Sequence, residues 1–345
     1  MILRKYNLIL WLCIIVAIIY YFTSPQNKQY IINGNTMGTS YTVKYWTDRD
    51  LGKDQITDLI ENKLIQINKS VSTWDKNSEI SKFNNLKSTD WFKVDKFFMN
   101  MVILSDKLCK STNGNFDITI SPLIDLWGFD AKGKITKRPN QKSLDDIGNY
   151  IGCDKISIDT TRQAIAKKQA MVTINLSAIA KGGAVDEIGK ILEQENINNY
   201  LVEIGGEIRA RGSKINKEIW RIGIEQPTGD NKAIKTILPL NNETMATSGD
   251  YKNYFEENGS RYSHIINPNT KKPIIHNLAS VTVIHKDNAM ADGLATAMLV
   301  MGTEEALRYA TQKKLKIYMI IRENNVFKEI MSPEWVAKFG KDKRN

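Results

Sequence analysis

Residues 290–298 read Met-Ala-Asp-Gly-Leu-Ala-Thr-Ala-Met, which sets Asp292 and Thr296 four positions apart. On an α-helix that spacing is about one turn, so a carboxylate and a hydroxyl share one face. Leu294, Met298, Leu299 and Met301 are apolar. The pattern predicts a largely buried helix that Asn288 caps and Gly302 stops. A buried carboxylate is costly unless it is hydrogen-bonded, ion-paired or bound to a cation. Two hard oxygens facing one point suit Mg2+ or Ca2+, not zinc. The alternative is an aspartate that only hydrogen-bonds a nearby hydroxyl or backbone amide, and the helix alone leaves both readings open.

Other segments offer complementary chemistry. Residues 175–186, Asn-Leu-Ser-Ala-Ile-Ala-Lys-Gly-Gly-Ala-Val-Asp, run into a second predicted helix. Free N–H groups there, with Lys181, Gly182 and Gly183, would hold a phosphate. The Walker order is absent, and the glycines equally suit tight helix packing. His264 lies where a predicted strand meets a Pro-bracketed loop, and it titrates near neutrality. His285 reads as a solvated strand end, and His276 has no evident partner in the sequence. Asp117, in Gly114-Asn-Phe-Asp, is placed beside a cleft. Trp74 and Met37 are a flat and a soft apolar side chain, suited to an aromatic ring or to plain packing. Asp125, Asp130 and the Trp127-Gly-Phe turn read as structural.

The elements that must position these groups follow from periodicity. A strand is predicted at 41–46, a helix through Ile56, Leu59, Ile60, Leu64 and Ile67, and another from Phe97 to Leu108. Short β-like runs come at 155–159, 164–168 and 171–175, followed by a helix over 179–194. The second half is mostly strands, at 200–204, 207–211, 220–225, 235–240 and 280–285, interrupted by the Asp292 helix. A short helix at 304–310 and strands at 316–321 and 327–330 complete the body. Runs of strands with a few long helices indicate an α+β protein. No linker rich in Pro, Gly or Ser divides it, so any two lobes are closely packed.

Composition, 42% hydrophobic and 25% charged, is ordinary for a globular chain of 345 residues. The net charge of +10 is spread in short lysine pairs. It favours acidic or phosphate-bearing partners in a general way, and no nucleic-acid reader motif stands behind it. At the N-terminus Arg4 and Lys5 precede an unbroken apolar run of 15 residues, 8–22. As a helix it would span ~22 Å, short for a bilayer core of ~30 Å unless its flanks extend it. Residues 1–29 are therefore read as a signal or membrane anchor, and 30–340 as an extracytoplasmic body on the periplasmic side of the inner membrane. Cys13 lies in the run, leaving Cys109 and Cys153 in the body. Two distant cysteines make no zinc site; they are read as small buried residues, with a disulfide possible.

In order, the chain contains Thr36-Met-Gly-Thr, Ser72-Thr-Trp, Gly114-Asn-Phe-Asp, Ser121-Pro-Leu-Ile-Asp-Leu-Trp-Gly-Phe and Asn175-Leu-Ser-Ala-Ile-Ala-Lys-Gly. Gly205-Gly-Glu, Thr247-Ser-Gly-Asp-Tyr, Ser263-His-Ile-Ile-Asn-Pro and Met290-Ala-Asp-Gly-Leu-Ala-Thr-Ala follow. This series resembles the ApbE family, the FAD:protein FMN transferases, across residues 33–302. The resemblance implies two closely packed α/β lobes with mainly antiparallel sheets, related to the T-fold, with a FAD cleft between them. It implies Mg2+-dependent transfer of the FMN half of FAD to a Thr or Ser hydroxyl of an acceptor protein, with release of AMP. Acceptors would be membrane-bound subunits of electron-transfer complexes or small FMN-binding domains.

By position, Met37, Trp74, Asn115, Phe116, Asp117, Asn175, Lys181 and Ile266 would line the FAD site. Metal ligands would be the Ala178 carbonyl, Asp292, Thr296 and an oxygen of Ala295, with His264 as catalytic base. A FAD pyrophosphatase, or a flavin-binding protein without catalysis, is the alternative. Four positions depart from the family pattern: Lys271 for Gly, Asn175 for Asp, Gly183 for Tyr and Gly293 for Ala.

Overall fold

The computed structural model describes residues 11, 13–15, 27–49, 52–129, 138–228, 233–250, 254–257, 260–324 and 326–340. Most of the apolar run 8–22, and Asp130, lie outside the described residues. Among the described residues no helix is long and apolar enough to cross a membrane.

Strands β1 (Lys28–Thr36) and β2 (Thr39–Thr47) form a hairpin, followed by α1 (Lys53–Val71), α2 (Glu79–Asn85), β3 (Phe92–Lys93) and α3 (Lys96–Ser111). A 3-10 turn (Ile118–Ile120) leads to α4 (Ser121–Leu126), α5 (Gln141–Gly148), β4 (Ile156–Asp159) and β5 (Ala164–Lys167). Next come α6 (Ser177–Gln194), β6 (Tyr200–Ile204), β7 (Glu207–Arg211), β8 (Trp220–Glu225), β9 (Ile234–Leu240) and β10 (Glu243–Gly249). Short strands β11 (Tyr254–Glu257), β12 (Ser260–Ser263), β13 (Ile266–Asn267) and β14 (Lys272–Pro273) precede β15 (Leu278–His285). Helices α7 (Asn288–Met301) and α8 (Thr303–Lys313), strands β16 (Lys316–Glu323) and β17 (Val326–Met331), and α9 (Pro333–Phe339) complete the body.

The main sheet has eight strands in the order β1-β2-β6-β7-β10-β15-β16-β17. Every described pairing in it is antiparallel. Period-two alternation divides its side chains between two cores. Val281, Val283, Ile317 and Met319 join the helices α1, α3, α6 and α7 in the larger core. Ile284, Tyr318 and Ile320 face the other way, where the β8–β9 hairpin and Trp335 of α9 cover them. A third cluster, Leu123, Trp127, Leu144 and Ile266, supports the loop after His264. The α+β reading with mainly antiparallel sheets thus stands.

Four local expectations are corrected or refined. Residues 171–175 form no strand, because the Asn84 side chain satisfies both Ile174 N–H and Ile174 C=O at 2.8 Å. Asp287, not Asn288, caps α7, accepting from Met290 N–H at 3.1 Å. Asn288 is instead buried, and its amide donates to Ile208 and Met245 carbonyls at 2.7 and 3.2 Å. Cys109 and Cys153 are not separate buried thiols but a disulfide, with Cα atoms 5.7 Å apart. The chain between them folds back through α4 and α5, a return that spacing alone does not reveal. Lys271 adopts φ 60°, the left-handed conformation that favours glycine. The turn therefore survives the replacement, closed by Lys271 N–H to Asn267 C=O at 2.8 Å.

Candidate active site

A cavity of about 780 Å³ opens where the first turns of α6, one face of α7, the β6–β7 hairpin and the loop before β13 meet. Asn115, Phe116, Asp117, Asn175, Ala178, Lys181, His264, Ile266, Asp292 and Thr296 all line it. More than a hundred residues separate Lys181 from Asp292 in sequence, and the fold closes that distance by crossing α6 on α7. The crossing needs Gly182: a Cβ there would lie 2.4 Å from the Asn288 carbonyl oxygen. Gly183 and Gly293 face Met101 and Leu108 side chains just as closely, so both departures match the local packing of α3.

Asp292 is 3% exposed. Its Oδ2 accepts from Gly182 N–H at 3.0 Å and its Oδ1 lies 3.7 Å from Lys181 Nζ. Lys181 also pairs with Glu207, a second buried carboxylate. Glu207 is placed by the Gly205-Gly206 turn, where φ values of 60° and 100° permit a tight two-residue hairpin. Burial pushes the Asp292 carboxyl up, against the pull of Lys181 and the Gly182 N–H. Burial likewise pushes Glu207 up to about 7, Lys181 opposing it. Burial works against the Lys181 charge, but Asp292 and Glu207 overcome it and hold the ammonium well above the usual lysine range. Two carboxyl groups thus flank one ammonium in the wall of the cavity.

Thr296 Oγ1 lies 3.0 Å from Ser248 Oγ on β10, beside Asp292. The buried carboxylate and two hydroxyls are hard oxygens, and Ala178 in the first turn of α6, whose carbonyl would add a fourth, lines the same cavity. Such a set fits a magnesium-type cation, which is held by few carboxylates and keeps water or phosphate oxygens for the rest of its shell. No group of three or more His, Cys, Asp or Glu clusters among the described residues, so any cation here would rest on a single carboxylate with hydroxyl and carbonyl oxygens. Glu207 and Ser248 were not singled out by sequence reasoning, although both stand in quoted motifs. The signal for Glu207 is the glycine pair before it.

Asn115, Phe116 and Asp117 form another wall of the cavity. Asn115 donates to Thr112 C=O at 2.9 Å, which fixes its amide. Asp117 Oδ1 accepts the Thr119 N–H at 2.8 Å and the Thr119 hydroxyl at 2.6 Å. Burial raises its carboxyl, with both Thr119 bonds opposing. Asn175 Oδ1 takes the Ser177 N–H at 2.8 Å, at the entry to α6.

Of the three histidines only His264 lines the cavity. His285 is half-buried, accepting at Nδ1 from Asp287 N–H at 3.1 Å rather than standing in solvent. Met37 and Trp74 are not brought to the cavity wall. Met37 occupies the β1–β2 turn at φ 50°, packed against the main core, and Trp74 is 77% exposed in the turn after α1. Ala295 is fully buried on α7 and does not line the cavity.

Comparison with known proteins places this geometry. Residues 37–321 match the ApbE family. A FAD:protein FMN transferase of Haemophilus influenzae is 40% identical over 308 residues, 88% of this chain and 89% of that protein. The protein of the same name from Escherichia coli K12 is 32% identical, with 88% of each chain aligned. Among solved structures, the apo form of the Pseudomonas stutzeri flavinyl transferase ApbE superposes with TM-score 0.84 at 35% identity, covering 92% of this chain and 98% of that one. The Vibrio cholerae flavin transferase ApbE gives 0.83 at 34% identity, covering 90% and 99%. With the family match spanning most of its length and relatives of this identity aligned nearly end to end, the chain belongs to the ApbE family.

Proposed function

We propose that this enzyme transfers the FMN half of FAD to a Thr or Ser hydroxyl of an acceptor protein, forming a phosphoester and releasing AMP. The observation that carries the reading is the convergence of Asp292, Thr296, Lys181 and His264 on one cavity with room for a large ligand. Asp292, Thr296 and the Ala178 carbonyl, with Ser248 beside them, would hold Mg2+, which when bound neutralises pyrophosphate charge. Lys181, kept charged by its two carboxylates, adds a fixed cation on the phosphate side. His264 accepts the proton of the acceptor hydroxyl as its oxygen attacks the FMN-side phosphorus. The bond from that phosphorus to the oxygen bridging to AMP breaks. The wall of Asn115, Phe116 and Asp117, with Asn175 and Ile266, orients FAD.

We place the body outside the cytoplasm, tethered by the N-terminal apolar run. The Cys109–Cys153 disulfide supports an oxidising compartment. Incubation with FAD, Mg2+ and a flavin-acceptor domain, followed by intact-mass measurement, tests the activity. The acceptor should gain one FMN while AMP appears in equal amount. Free FMN and AMP with an unmodified acceptor would instead identify a FAD pyrophosphatase.

A further inference from the structure

The Cys109–Cys153 disulfide lies directly behind one wall of the cavity. Cys109 sits in the last turns of α3, and its carbonyl accepts the Gly114 N–H at 2.9 Å. That bond closes the turn from which Asn115, Phe116 and Asp117 emerge. On the other side of the bridge Gly152, next to Cys153, donates its N–H to Thr119 Oγ1 at 2.9 Å. The same Thr119 hydroxyl donates to Asp117 Oδ1 at 2.6 Å. A continuous path therefore runs from the bridge through Gly152 and Thr119 to a carboxylate on the cavity wall. A void of only about 20 Å³ is bordered by Cys109, Cys153, Gly152, Thr119 and Asp117 together. Thr119 is 2% exposed and does not itself line the cavity. Its side chain meets the lining at Asp117.

We propose that the Cys109–Cys153 bridge and Thr119 are positioning groups for the Asn115–Asp117 wall, so that FAD is captured more tightly by the oxidised protein than by the reduced one. The proposal rests on the assignment of that wall to FAD. The bridge holds the Cys153 loop against α3, which aims the Gly152 N–H at Thr119. Thr119, with its oxygen so engaged, has its hydrogen directed at Asp117 and fixes that carboxylate. A dithiol opens the bridge by exchange. Its two sulfurs join to each other, and its two protons and two electrons pass to Cys109 and Cys153, which become thiols. The wall then loses the Gly152 bond that orients Thr119, while Asp292, Lys181 and His264 keep their places. The consequence is a site that captures FAD well only after the chain has reached an oxidising compartment.

The test measures FAD affinity of the full chain by flavin fluorescence titration, with and without dithiothreitol, and the single-turnover rate at saturating FAD. Reduction, verified by thiol titration, should weaken FAD binding about tenfold, the size of one lost hydrogen bond to a charged group. The saturated rate should stay within about twofold. In the oxidised protein Thr119→Val should reproduce the weakening, and Thr119→Ser should restore normal affinity. Unchanged affinity in both the reduced protein and Thr119→Val overturns the proposal, as does a lost saturated rate with affinity intact. If reduction unfolds the chain, the two Thr119 variants decide alone. Asp117→Ala separates the underlying assignment: normal FAD binding there removes the wall from the FAD site. Weakened binding in Asp117→Ala, with none on reduction or in Thr119→Val, keeps the wall in the FAD site and overturns the positioning role of the bridge and Thr119.

Discussion

In the proposed reaction Asp292 and His264 have different roles, and their loss should differ accordingly. Asp292 is a buried carboxylate whose charge is balanced by Lys181 on one side and, in the proposed reaction, by a divalent cation on the other. Asp292→Ala should abolish the dependence of flavin transfer on Mg2+ and slow the reaction at least about a hundredfold, since electrostatic stabilisation of this kind contributes several kcal/mol. A titration of rate against Mg2+ checks this, and full activity would remove Asp292 from the metal site. His264 stands on the loop before β13 and lines the same cavity. His264→Ala should lower the saturated transfer rate by about 10²- to 10⁴-fold while FAD affinity changes little. Collapse of affinity with an intact single-turnover rate would make it a binding residue. Both residues were legible in the sequence because each has an unusual type in an otherwise apolar or loop setting. Glu207 was less so, because a Glu at a strand start looks solvated until the fold buries it against Lys181.

At the scale of elements, the site depends on how α6 and α7 cross. Gly182→Ala would drive a Cβ into backbone at Asn288, which has no flexible end to move. It should cost about 1–3 kcal/mol by overpacking and separate Lys181 from Asp292; urea denaturation and Mg2+ dependence would both register it. The N-terminus of α7 is held from α6 by Asp186, whose Oδ2 accepts from Asn288 and Ala289 N–H at 2.8 and 3.0 Å while Oδ1 meets Arg209 at 2.9 Å. Burial, then the neighbouring Asp287 charge, pushes Asp186 up to about 7 against those bonds. An acid raised in the folded state binds its proton there over a pH range where the unfolded chain has already lost it. Its contribution to stability is therefore full below about pH 4 and lost as pH rises to about 7. Asp186→Asn should flatten that part of the stability–pH curve by about one proton; an unchanged slope between pH 5 and 7 would show that Asp186 ionises normally. The helices themselves were predictable from their apolar periodicity. Strand β10, Glu-Thr-Met-Ala-Thr-Ser-Gly, was not, since its polar residues gain their place only between β7 and β15.

For the whole molecule, the body begins at β1, which pairs with β2 from Lys28 onward. A chain starting at residue 27 should therefore fold with the melting temperature of the full protein and keep its transferase activity. It should move from the membrane to the soluble fraction on cell fractionation, and retention in the membrane would assign the tether elsewhere. The sequence by itself determined the α+β class and the family, and it singled out Asp292, Thr296, Lys181 and His264, which the fold brings to one cavity. It could do so because helix and strand periodicity are local, and because hard-oxygen and basic residues in fixed short motifs keep their meaning outside the fold. Only the tertiary structure decided which of those motifs meet. It joined Lys181 to Asp292 and Glu207, and bonded Cys109 to Cys153. It left Trp74 in an exposed turn and Met37 against the core. Each of these outcomes turns on contacts between residues far apart in the chain, set by helix crossing and strand order, which no short-range pattern encodes.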